Sequence, residues 1–356
     1  MIHIIHIDKK DWDPGVEASK RNYQLAGPVK DKQFHVFRML TDAELPDMAY
    51  KTSRLSPKSL LFPQSEIMFT YRLDPKADSP HILQEVKADS SPCAVIGIRP
   101  CDARAIRILK LNFEGPEYPD PYWLNAIERC TFIGLADNAP ESTDFSTSCG
   151  TGPFDEAGLD ALVVDCQDHY LVKVLTEKGG AWMKAAGFTS VASNNAPEVL
   201  ERMKAAAESK IASKISFDNI RKMSILDLYQ APFWEDAAFG CIQCGACTYA
   251  CPTCWCFDIQ DETYGAKGVR MKNWDSCMAP LFTLHASGHN PRSTALGRTR
   301  QRFMHKLKYF LDKYDQGIMC VGCGRCIVQC PANIDIRKIC DRMNQYEAGK
   351  GECRCQ

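Results

Sequence analysis

The chain has 356 residues, room for two or three domains with a substantial core, and its 43 Lys and Arg against 44 Asp and Glu leave a formal charge of −1. So even a balance excludes whole-molecule attraction to nucleic acid or to an anionic membrane surface. The opening MIHIIHIDKKDWD lacks the basic stretch of a signal peptide, and no apolar run approaches the about 20 residues of a membrane span, so a soluble, cytoplasmic protein is expected.

Nineteen cysteines in such a compartment point to metal ligation rather than disulfides. Five precede residue 240 and fourteen follow it. That shift places a domain boundary near residue 230, giving an α/β domain over 1–230 and a second domain over 231–356.

In the first domain the apolar runs 93–98, 131–135, 160–165 and 170–175 read as strands. Helices are expected over 102–111 and 196–215. The glycines of GTGPFDEAG at 150–158 lack the GxGxxG spacing of a dinucleotide fingerprint, and Pro153 stands where a helix would begin close packing on a pyrophosphate, so no such fingerprint is read here. Cys93, Cys130 and Cys166 fall at strand edges and read as core.

The second domain opens with CIQCGACTYACP at 241–252, repeated as CVGCGRCIVQCP at 320–331. Two-residue spacers let a tight loop point three thiolates at one iron–sulfur cube, whereas the fourth, three residues on and followed by proline, is carried away to a second cube. One 4Fe-4S cluster is therefore expected on Cys241, Cys244, Cys247 and Cys330, and another on Cys320, Cys323, Cys326 and Cys251. Zinc also uses CxxC pairs, but two full copies with Pro252 and Pro331 in register favour iron–sulfur chemistry. Gly245 and Gly324 share one offset, where a small residue lets the backbone turn close to a cluster.

Sixty-eight residues separate Cys251 from Cys320, so an insertion is expected, helical and basic over about 257–315. From Ser276 to Leu311 there is no acidic residue, yet Arg292, Arg298, Arg300, Arg302, Lys306 and Lys308 are present. Phe303, Leu307, Phe310 and Tyr314 recur at helical spacing, with Arg298, Arg302 and Lys306 on an adjoining face. That face is solvated, offsets the negative charge of thiolate-bound clusters, or docks an acidic partner. His285 and His289, four apart, could face one side of a helix and bind metal, although polar packing is the commoner role. Cys353 and Cys355 lie in a polar tail and read as exposed thiols.

WDSCM at 274–278, LHASGHNPR at 284–292, RQRFMHK at 300–306 and CVGCGRC at 320–326, with SPKSLLFPQSE at 56–66 and IRPCDARAI at 98–106, resemble the iron–sulfur β subunits of cytoplasmic nickel–iron sulfhydrogenases. The related iron–sulfur subunits of anaerobic sulfite reductases, and those found beside heterodisulfide reductases, are similar. The resemblance implies a two-cluster ferredoxin-like domain behind the α/β domain. It implies an electron carrier between a flavoprotein subunit, which holds FAD and binds NAD(P)H, and a catalytic subunit of hydrogenase, heterodisulfide reductase or sulfite reductase type. Relatives often carry a CFC pair before the SxGTGP-like segment, but Asp144 and Ser146 stand there and Ala136 lies near the position of a further ligand, so no N-terminal cluster of that type is expected and Cys149 is displaced. The family-matching cysteines left over, Cys101, Cys254, Cys256 and Cys277, could hold a third 4Fe-4S cluster or be buried as small apolar side chains. Three functions stay open: a non-catalytic relay, a disulfide or sulfur reductase working at Cys254, Cys256 and Cys277, and a scaffold with structural zinc.

Overall fold

The computed structural model describes residues 4–73 and 83–347. The first part of the chain contributes β1 (Ile4–Asp8), β2 (Gln24–Asp31), β3 (Phe34–Met39), β4 (Ser65–Arg72), β5 (Leu83–Glu85), β6 (Cys93–Ile98), β7 (Cys130–Leu135), β8 (Ala161–Asp165) and β9 (His169–Val174). The later part adds β10 (Phe257–Tyr264) and β11 (Lys267–Trp274). Seven strands form one sheet in the order β1-β9-β8-β7-β6-β2-β3, and four form another in the order β10-β11-β4-β5.

The large sheet is parallel at its centre, where β2, β6, β7 and β8 run together, and antiparallel at its flanks. CAVIGI and CTFIGL are buried at every position, as expected of parallel strands covered on both faces. The expected strands are thus present. So is the helix at 102–111, which follows α1 (Lys9–Ser19) as α2 (Pro100–Phe113) and whose first turn carries Pro100, a residue that fits where no intrahelical N–H is needed. The helix expected over 196–215 stops at Glu208. Beyond it Ile211 is buried, Lys210 Nζ donates to Asn138 O at 2.8 Å and Ile215 N–H to Ser148 Oγ at 2.9 Å. These tertiary bonds override helix propensity.

The insertion corrects a second expectation: only its later half is helical. Residues 257–274 fold as a hairpin whose β11 pairs with β4, so the four-stranded sheet joins both sides of the boundary expected near residue 230. Gly265, at φ +60°, opens the turn between the strands, a conformation that hairpin turns require and glycine adopts freely. The helical half runs Ala295–Met304, a π turn His305–Tyr309, then Phe310–Tyr314.

Buried apolar residues form a core around the large sheet and another around Trp234, Phe303, Leu307 and Met343. A small third cluster, with Ala105 and Ile108 of α2 against Phe310, Met319 and Val321, lies between them. Beside it Arg325 donates to both Asp102 carboxylate oxygens at 2.6 Å and to Ser53 O at 3.1 Å, and both ions are buried. Removing one partner of such a pair leaves an uncompensated buried charge. Asp102→Ala is therefore expected to cost about 3–5 kcal/mol in denaturant unfolding, read as a lower midpoint, whereas removing the exposed pair partner Asp261 is expected to leave the midpoint almost unmoved.

Candidate metal centre

The two cysteine runs fold alike. Gln243 and Gly322, the residues before the second cysteine of each run, have φ of +60° and +68°, and Gly245 and Gly324, just after it, have φ of +74° and +71°. Each pair of left-handed residues coils the loop so that successive amides turn inward, and each run then enters a short helix, Ala246–Tyr249 or Arg325–Val328. These two helices pack on one another.

Across this contact the thiols regroup. Cys241, Cys244 and Cys247 line one pocket together with Cys330 of the other run. Cys251 lies within electrostatic reach of Cys320, Cys323 and Cys326. Backbone amides aim at the sulfurs, Ile334 N–H at Cys330 Sγ over 3.3 Å and Gly322 N–H at Cys320 Sγ over 3.5 Å. Among the described residues no three His, Cys, Asp or Glu side chains converge tightly enough to hold a single metal ion. The first group is the outer one: Cys244 is exposed and Ile242 beside it is 66% exposed, whereas Cys251 and Cys320 are buried.

Burial pushes the Cys247 and Cys323 thiols up, and the Cys326 thiol up to about 12. Left alone they stay protonated; binding metal as thiolates releases those protons and leaves negative charge indoors. Cations stand ready for it. Lys306 Nζ lies 3.3 Å from Cys251 Sγ, and Lys58 Nζ donates to the carbonyls of Cys251 and Cys254 at 2.9 and 2.8 Å while resting over the Trp274 ring. Arg302 sits between the two groups, near Cys247 of one and Cys326 and Cys251 of the other, and its buried Nε has no hydrogen-bond partner among the described residues. Burial works against the charge of Lys306 and Arg302, yet the surrounding sulfurs hold both above their ordinary values. Among the described residues no carboxylate pairs with Lys58, Arg302 or Lys306. Such a donor set, thiols ringed by uncompensated buried cations, suits an anionic iron–sulfur cofactor. The basic face of the insertion is therefore turned inward: Arg298, Arg302 and Lys306 are all buried.

The profile of the 4Fe-4S dicluster domain matches residues 240–334, the span that contains both runs. Sulfhydrogenase 2 subunit beta of Pyrococcus furiosus is 31% identical over 328 residues, covering 90% of this chain and 92% of that protein. The chain belongs to this family of iron–sulfur β subunits. No solved structure matches it.

The other cysteines of this β subunit divide. Cys254, Cys256 and Cys277 come together beside the inner group: Cys254 lies next to Cys251, and Cys256 next to Cys277, whose proximity holds the Cys256 thiol down to about 7. Cys101 does not join them. It lies at the start of α2, near Cys323, Arg325 and Asp144. Asp144 and Ser146 bond to each other at 2.7 Å, and this segment covers the second run, with Phe145 N–H donating to Gly322 O at 2.9 Å. Cys149 lies beside Cys320, and Cys340 is buried nearby. Cys93 and Cys130 pair in register inside the large sheet, and Cys166 rests on Met203 Sδ at 3.7 Å. His285 and His289 sit on an exposed turn closed by a 2.8 Å backbone hydrogen bond, not on a helix. Cys353 and Cys355 lie outside the described residues.

Two contributors escaped the sequence reading. Lys58 is inside SPKSLLF, whose only visible cue was family likeness, because its partners are backbone carbonyls about 190 positions away. Cys149 carried no spacing cue at all.

The glycines give a test. A Cβ at Gly324 would lie 2.7 Å from Thr143 O, a backbone atom, whereas one at Gly245 would meet only the side chains of Tyr249 and Ser276, at 3.1 and 3.3 Å. Both positions are left-handed, so each substitution costs about 1 kcal/mol or more, but only the first also forces backbone apart. Gly324→Ala is expected to lose more thermal stability and more cluster absorbance than Gly245→Ala; equal losses contradict the close approach of residues 143–146.

Proposed function

We propose that this chain is the electron-transfer subunit of a cytoplasmic multi-subunit oxidoreductase and relays single electrons through two 4Fe-4S clusters. The carrying observation is the shared pocket of Cys241, Cys244 and Cys247 with Cys330 from the other run. In this reading those four hold the outer cluster, and Cys320, Cys323, Cys326 and Cys251 hold the inner one. Bound there, a cluster takes and returns one electron at a time. The chain's own residues hold it, surround it with buried cations and, through the interlocked loops, keep the two centres adjacent. The outer group, with Cys244, Ile242 and the 93% exposed Phe239, is the edge at which a partner exchanges electrons.

The name of the Pyrococcus relative, a sulfhydrogenase β subunit, favours a hydrogenase-type catalytic partner over heterodisulfide reductase or sulfite reductase types. Hydride chemistry needs a flavin to split two electrons into singles, and with no dinucleotide fingerprint at 150–158, FAD and the NAD(P)H site are assigned to a partner flavoprotein. No catalytic acid or base is required of this chain.

The gathering of Cys254, Cys256 and Cys277 beside the inner group favours a second reading, a third thiolate-bound centre built without Cys101. In its stronger form that centre is itself a disulfide or sulfur reductase. Iron analysis separates these: about eight irons per chain mean two clusters and about twelve mean three, while zinc in place of iron returns the chain to a scaffold. Purified subunit given reduced dye and candidate acceptors is expected to show no turnover; turnover without partners defeats the relay.

Thiolate exchange is tested by combining substitutions. Cys251→Ala joined to Cys323→Ala is expected to remove about four irons, because both strike one cluster. Joined to Cys244→Ala it is expected to remove about eight. The reverse pattern means that each run keeps its own fourth thiolate.

A further inference from the structure

The helix from Ala295 to Tyr314 is interrupted by one π turn, His305–Tyr309. Such turns insert a residue and re-aim the side chains around it, and they gather at functional sites. Here the turn carries Lys306, which is 2% exposed. Its ammonium has three donors, and they reach Cys251 Sγ at 3.3 Å, Thr253 Oγ1 at 2.9 Å and Met319 O at 3.0 Å. Thr253 in turn donates to Met319 O at 2.9 Å. One side chain thus clamps the end of the first cysteine run to the start of the second.

The charged groups facing it are the sulfurs of Cys251, Cys254 and Cys320 and the cations Arg302 and Lys58, with no carboxylate among the described residues. Among the described residues no charged side chain donates a hydrogen bond to a sulfur of the outer group, although Arg302 lies near Cys247; its Cys330 sulfur accepts a neutral backbone N–H. A charge-assisted hydrogen bond to sulfur is stronger than a neutral one and strengthens as the sulfur gains negative charge. We propose that Lys306 is a positioning residue that raises the reduction potential of the inner cluster selectively, through its charged N–H to Cys251. With a cluster held there, the ammonium N–H on Cys251 would stabilise the more negative, one-electron-reduced form over the oxidised one. This rests on the reading that Cys251 is a ligand of the inner cluster.

The test uses the full chain reconstituted anaerobically with iron and sulfide and titrated with redox mediators under EPR, the inner signal being the one lost in Cys323→Ala. In Lys306→Met the inner midpoint is expected to fall by a tenfold or greater change in the reduction equilibrium, about 59 mV per tenfold for one electron. The outer midpoint stays in place, and Lys306→Arg recovers most of the shift. Full iron with both midpoints unmoved in Lys306→Met overturns the proposal. Should that variant fail to load iron, unsubstituted protein labelled with 15N-lysine decides: pulsed EPR of the reduced inner cluster is expected to show coupling to one lysine nitrogen, and its absence overturns the proposal. A Cys251→Ala protein that keeps the inner signal unchanged overturns instead the ligand reading beneath it.

Discussion

Holding anionic thiolate chemistry away from water constrains this molecule more than any other requirement. A buried charge without a partner is among the costliest things a protein can contain, and here the compensation comes from every part of the chain. Lys58 arrives from the first domain, Arg302 and Lys306 from the inserted helix, and Arg325 lies between Cys323 and Cys326, held in turn by Asp102. The π turn falls within this set, since it carries Lys306 one turn beyond Arg302 on the same helix.

The same demand explains where the cysteine loops dock. In open α/β sheets the space beyond the carboxyl ends of the parallel strands is where ligands bind, because strand ends and helix starts converge there. In this chain Arg99, at the end of β6, is committed to the carbonyls of Ala136 and Lys51. Asp102 and Cys101, at the start of α2, face the second cysteine loop. The α/β domain therefore spends its ligand face on the protein's own second half. Residues 143–146 close over the loop so tightly that Gly322 has a backbone neighbour 2.5 Å from where its Cβ would stand.

How much of this could be read beforehand depended on the range of the signal. The buried parallel strands show as unbroken apolar runs, a local feature, and the expected grouping of thiols across the runs rests on spacing, proline and the pattern of two-cluster ferredoxins, beside which stands the pocket that Cys330 shares with the first run. The hairpin 257–274 was passed over because β10 is almost wholly exposed and so lacks apolar alternation; its pairing with β4 is a tertiary fact. Likewise Arg298, Arg302 and Lys306 could be counted, but whether their face met water or sulfur depended on what packed against it. The misplaced Cys101 shows the same limit, since four leftover thiols fixed a number and not a position.

The strand β11 lies between β10 and β4, with residues from both ends of the sequence locked into one small sheet. A ferredoxin unit acquired as a plug-in module would be joined by a tether and could be lifted out whole. Here a piece of it is woven into its neighbour, so the gene cannot be cut at residue 230 into two self-sufficient products, and evolution would have to recombine this electron carrier as a single indivisible block.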